Sequence, residues 1–404
     1  MDNHATTSVD PRVIETILPY YSTRFGNPAS SNHAYGWEAA AAVDEARSQI
    51  ARVIHAASPG EIVFTSGGTE SDNLAIKGVA EFYRNKGDHI ITCATEHKAV
   101  LDTCKSLEGK GFRVSYIRVD RYGVVDLEQL NSAIDQRTLL ISVMAANNEV
   151  GTIHPIAEVG RLAKKHGVLF HCDAVQAVGK IPLDVESMGI DLLSMSAHKI
   201  YGPKGVGALY VRGRDPRVRL QPTIDGGGHE KGMRSGTLNV PGIMGLGMAC
   251  ELAAREMVQE SARLTRLREQ LKEAIFCQLE EVYLNGHPSN RLAGNLNVSF
   301  AGIEGESLLM GLKEIAVSTG SACTSTNLEP SHVLRALGVS PRLAHASLRF
   351  GLGRFNTEEE VEYTAARVVE EVTRLRRALS IPGSVKEALP PQQRAEDKVR
   401  GSRS

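Results

Sequence analysis

Between residues 60 and 211 the chain alternates short apolar runs with amphipathic stretches. The runs Ile62–Phe64, His89–Thr92, Arg113–Val119, Leu139–Met144, Val168–His171, Leu192–Met195 and Ala208–Val211 read as strands. Between them lie helical patterns such as Ile156–His166. Strands alternating with helices predict a mostly parallel seven-stranded sheet covered on both faces. Upstream, Val43, Ala46, Ile50, Val53 and Ile54 recur at helical spacing in an Ala-rich stretch from Trp37 to Ile54. From about residue 242 the pattern changes. Leu264–Leu279 reads as a charged amphipathic helix, and Asn297–Phe300 and Ile315–Ser318 read as strands. Val361, Ala365, Val368, Val372, Leu375 and Leu379 mark a final helix. The expected division is a large α/β domain over 1–250, with an N-terminal segment reaching the second domain. A smaller α+β domain covers 251–380, and a polar tail expected to be disordered covers 381–404.

Composition narrows the possible functions. Lys and Arg total 46 against 47 for Asp and Glu, a formal net charge of −1, which argues against a globally basic nucleic-acid binder. No apolar run reaches the ~18 residues of a membrane span, and the N-terminus lacks the pattern of a secretory signal. Six cysteines are scattered singly, as expected of reduced thiols in a cytoplasm rather than a disulfide framework or zinc site.

The candidate chemistry lies where the predicted strands end. Beyond Leu192–Met195 come Ser196, His198 and Lys199, then a Gly-Pro turn. A lysine held there could form a Schiff base, or it could be a solvated turn residue. Asp173 follows a buried run and could pair with a protonated ring nitrogen or cap a helix. Phe64–Asn73 carries Gly67, Gly68 and Thr69 ahead of a helical pattern, which suits either phosphate binding or an ordinary capped helix start. His97 could stack on a planar ring, act as acid or base, or be structural. Asn147-Asn148-Glu149 follows the fourth run. Five polar strand ends suited to one ligand weigh more together than singly. Cys323 sits among Gly, Ser and Thr, as an accessible loop thiol would; a surface cysteine without function ranks second. Arg349, in a strand-like run, could grip a carboxylate or serve in an ion pair.

Together these motifs resemble the cysteine desulfurases of the NifS/IscS type, in the class V aminotransferase group of fold type I pyridoxal phosphate (PLP) enzymes. The resemblance runs from Asp2 to about Leu379. It implies that Lys199 holds PLP and moves protons, Asp173 pairs with its ring nitrogen, Gln176 bonds the ring hydroxyl oxygen, and His97 stacks on the ring. It implies a phosphate site made by Gly68, Thr69, Ser196 and His198, with Thr237 reaching the phosphate of a second copy in a homodimer. Asn148 and Arg349 would position the carboxylate of L-cysteine, and Cys323 would keep its sulfur as a persulfide. The implied partner is a sulfur-acceptor protein such as an iron-sulfur scaffold. No resident metal is required, although Cys323 could share a cluster with that scaffold. The polar C-terminal tail differs from the docking segment of IscS-type enzymes, which leaves the acceptor open. Two other readings stand beside this one: a selenocysteine lyase or other PLP lyase or aminotransferase on the same fold, and a non-catalytic scaffold or sulfur carrier.

Overall fold

The computed structural model describes residues 1–319 and 330–379. Cys323 and the 381–404 tail therefore lie outside the described residues. The seven predicted runs are all strands: β1 Ile62–Thr65, β2 His89–Cys93, β3 Arg113–Ile117, β4 Thr138–Ser142, β5 Leu169–Asp173, β6 Leu192–Ser196 and β7 Gly207–Val211. They form one sheet in the order β1-β7-β6-β5-β4-β2-β3. β7 pairs antiparallel with β1 and β6, and every other neighbouring pair is parallel. Every residue of β1, β2, β4, β6 and β7 is buried. This is why those strands read as continuous apolar runs rather than alternating ones: helices cover both faces.

A second sheet is antiparallel, with β8 Val282–Leu284, β9 Asn295–Phe300 and β10 Ser347–Gly351 in the order β10-β9-β8. β8 was not foreseen. It has three half-buried residues, too few for a periodic signal. The expected strand Ile315–Ser318 is a correction. Only Ser318 pairs, through a single bridge to Arg349. This sheet packs with the helix Glu358–Leu379 around Phe300, Leu348, Phe350, Val368 and Val372.

The two cores share one helix, Val240–Phe276. Its first half contributes Ile243, Leu246 and Leu252 to the large core, and its second half contributes Leu267, Leu271 and Ile275 to the small one. The expected division at residue 250 falls inside this helix. The N-terminal segment also spans both sheets. Asp2 bridges to Gly351, whereas the Thr7 amide donates to the His198 carbonyl at 2.9 Å. Among the described residues no helix is long and apolar enough to cross a membrane.

Candidate active site

Because β2, β4, β5 and β6 are parallel, their carboxyl ends meet along one sheet edge. β1, two antiparallel steps from β6, ends on the same edge. Open α/β sheets bind ligands at this edge. The turns after these five strands carry Gly67–Thr69, His97, Asn148, Asp173–Gln176 and Ser196–Lys199. The topology thus brings these sequence-predicted residues to one edge; Arg349 comes from the second sheet, Thr237 from the segment before Val240–Phe276, and Cys323 lies outside the described residues.

Asp173 ends β5 and is 5% exposed. One carboxylate oxygen accepts from the Val175 amide at 2.9 Å. Burial raises its pKa, and the nearby His97 and Lys199 offset part of that rise. A buried carboxylate without a full counter-charge is a site prepared for a cation. His97 caps the helix Lys98–Glu108, its Nδ1 accepting from the Ala99 amide at 3.1 Å. Burial lowers its pKa more than Asp173 raises it. The ring is therefore neutral, with its remaining proton on Nε2.

Lys199 stands half-buried in the turn between β6 and β7. Its Nζ donates to the carbonyls of His4 and Ala5, each at 2.7 Å. Next to it, His198 bonds the Thr6 hydroxyl through Nδ1 at 3.1 Å, and burial followed by the Lys199 charge lowers its pKa to about 4. The N-terminal segment is thus part of the site, a role the sequence reading did not assign to residues 4–6.

The helix Gly68–Phe82 begins without a side-chain cap. Neither Thr69 nor Ser71 caps it. The Ser71 hydroxyl instead bonds Thr65 Oγ1 at 2.8 Å. Gly67 adopts φ 155°, and a Cβ on Gly68 would lie 2.6 Å from Val175 Cγ2. A glycine turn opening an uncapped helix beside Ser196 leaves free amides for a phosphate. These residues fit PLP: a cation partner, a phosphate cradle and a lysine on one edge. Thr69 and Thr237 are exposed. The segment carrying Thr237 is tied to this helix by Arg234, whose Nε lies 2.8 Å from Glu70 Oε1.

Arg349 ends up 5% exposed in β10. It donates to the Asn148 carbonyl at 3.0 Å and pairs with Asp2 at 2.9 Å, and its Nε has no partner among the described residues. The ion-pair reading of this arginine describes its contact with Asp2; its expected hold on a substrate carboxylate would use the Nε donor left over.

Sequence reasoning missed a buried polar layer beneath Asp173. His171 sits two residues earlier on the same strand face, with Nδ1 2.8 Å from Ser142 Oγ and Nε2 2.9 Å from Ser194 Oγ. Burial lowers its pKa to about 3. Asp72 Oδ1 lies 3.6 Å from that Nε2, and burial, with Asp173 next, raises the Asp72 pKa. The period-two spacing of His171 and Asp173 was the available signal. Among the described residues, no group of three or more potential metal ligands occurs.

The aminotransferase class-V family model matches residues 1–364. The chain is 58% identical over 389 residues to a cysteine desulfurase IscS of Anaeromyxobacter dehalogenans (strain 2CP-C), covering 96% of each chain. It is 56% identical over 376 residues to the cysteine desulfurase of Homo sapiens, covering 93% of this chain and 82% of the human one. Among solved structures it is similar to a NifS-like protein (TM-score 0.86, 43% identity, 93% of this chain and 99% of the other). Another is SspA in complex with cysteine (TM-score 0.77, 39% identity, 88% and 99%). Family model, relatives and fold agree, and the chain belongs to the class-V aminotransferase family as a cysteine desulfurase of the NifS/IscS type.

Proposed function

We propose that this chain uses PLP to convert L-cysteine to L-alanine, keeping the sulfur on Cys323 and passing it to an acceptor protein for iron-sulfur cluster assembly. The observation that carries this reading is the meeting of Lys199, His97 and buried Asp173 at one sheet edge, where the Lys199 charge lies close enough to act on the proton affinities of both His97 and Asp173. When bound, PLP supplies an electron sink for charge developed at the substrate α-carbon. Asp173 would pair with the ring nitrogen, and that pairing would relieve the cost of its burial. Gly68, Thr69, Ser196 and His198 would hold the phosphate, with Thr237 supplied to the site of a second copy. Neutral His97 would lie against the ring and offer its Nε2 proton. Lys199 would bind the cofactor covalently and carry a proton to or from substrate carbon. Arg349 and the Asn148 region would orient the substrate carboxylate. The Cys323 thiolate would then attack the substrate sulfur. A sulfur–sulfur bond forms, the carbon–sulfur bond breaks, and its electron pair stays with the carbon skeleton as alanine forms.

Leu18, Tyr21, Phe25, Tyr35 and Trp37 are all exposed, and Phe25 stacks on Tyr35 with ring centroids 5.5 Å apart; this concentration of exposed large apolar side chains between residues 18 and 37 supports a homodimer in which a partner covers them. Five described cysteines are unpaired, which suits the reducing cytoplasm. The test is release of alanine and sulfide from L-cysteine by PLP-loaded protein with a reductant. Matched products from wild type, lost in Lys199→Ala, are expected. Turnover that survives Lys199→Ala would refute the reading.

A further inference from the structure

Gln176 is the residue expected to meet the ring hydroxyl oxygen, and its hydrogen bonds restrict how it can do so. Its Nε2 donates to the His4 carbonyl at 3.0 Å. A carbonyl only accepts, so this contact fixes which end of the amide is nitrogen. Oε1 then faces His4 Nδ1 at 3.1 Å and Lys180 Nζ at 3.1 Å. Because Oε1 accepts, His4 must carry its proton on Nδ1. Its Nε2 is then a bare buried acceptor, without a partner among the described residues. Both lone pairs of Oε1 are thereby engaged, and one of the two Nε2 protons is used. What remains is a single N–H. The same His4 carbonyl also receives Lys199 Nζ at 2.7 Å, so Gln176 and Lys199 are held by one atom.

We propose that His4 and Lys180 are positioning residues that hold the Gln176 amide by its oxygen, so that it presents a ring-bound ligand oxygen with a hydrogen-bond donor and not an acceptor. This rests on the PLP reading above and adds two residues to it. Donors on Oε1 also polarise the amide and strengthen the remaining N–H. A donor at the ring oxygen withdraws negative charge from it. The neighbouring Lys199–cofactor linkage then gives up its proton more easily. Several charges face this cluster. Lys199 and Arg349 oppose Lys180, and Glu260 attracts it from the helix Val240–Phe276. Burial lowers the Lys180 amine to about 7 and holds the His4 ring neutral.

The test is the absorbance titration of the cofactor chromophore in PLP-loaded protein, for His4→Leu, Lys180→Met, Gln176→Leu and the two double variants with Gln176→Leu. Each of His4→Leu and Lys180→Met should raise the chromophore's titration midpoint by about half a pH unit, roughly threefold in the proton equilibrium. Neither should add to the shift of Gln176→Leu. His4 is neutral, so its variant separates loss of the bond from loss of a charge, and it carries the test if Lys180→Met fails to fold. Midpoints equal to wild type, or shifts that persist in the Gln176→Leu background, would overturn the proposal. Wild-type protein that takes up no PLP would instead refute the functional reading on which it rests.

Discussion

Asp173 shows how a single residue can work against stability and for function. Burial raises its pKa, so the fold favours the neutral acid. Its stabilising contribution is present below the unfolded value of 3.8 and is lost as pH rises through the folded pKa. At neutral pH the ionised group is a cost until a cation arrives. Cofactor-free Asp173→Asn should therefore melt higher than wild type at pH 7, with the gap closing toward pH 4. Its PLP affinity should fall at least about tenfold. Calorimetry across pH and a binding titration check both halves. An Asn variant that melts lower at pH 7 while binding PLP normally would contradict this view of the residue. The motifs around Asp173, Lys199 and His97 were legible because polar residues stood at the ends of apolar runs. His4 and Lys180 were not legible, since their importance comes from bonds to Gln176 across 172 and 4 positions respectively.

At the level of elements, the seven-stranded sheet was readable from apolar runs, and only its strand ends were displaced by a residue or two. The first half of the helix Val240–Phe276 was not readable. Gly242, Gly245 and Gly247 look like helix breakers. Packing explains two of them: a Cβ on Gly245 would lie 2.7 Å from Pro203 Cδ, and one on Gly247 would lie 2.4 Å from Gln49 Oε1. Close approach, not a bend, puts glycine there. Since this helix is shared by both cores, damage at one end should be felt at the other. Leu271 is fully buried in the small core, and Leu271→Ala should cost about 2–5 kcal/mol. Denaturation followed by far-UV circular dichroism and by cofactor absorbance should shift to one common lower midpoint. If only the former moved, the two cores would be unfolding separately.

For the molecule as a whole, two sheets are joined by a long helix and by an N-terminal segment that runs from Gly351 to the Lys199 turn. The exposed aromatic and aliphatic residues between Leu18 and Trp37 are expected to be covered by a second copy. Sedimentation should find wild type dimeric and a Leu18→Glu/Trp37→Glu variant shifted to monomer. An unchanged dimer would place the interface elsewhere. Loss of PLP retention in that monomer is expected if Thr237 completes the site across copies. The central claim is that substrate sulfur passes to Cys323. The most direct test is intact-protein and peptide mass spectrometry of PLP-loaded protein after a brief exposure to equimolar L-cysteine without reductant. The expected result is one added sulfur atom on the peptide containing Cys323, matched by one alanine, with no addition in Cys323→Ala. Alanine formation undiminished in Cys323→Ala, or sulfur found on another cysteine, would contradict the account.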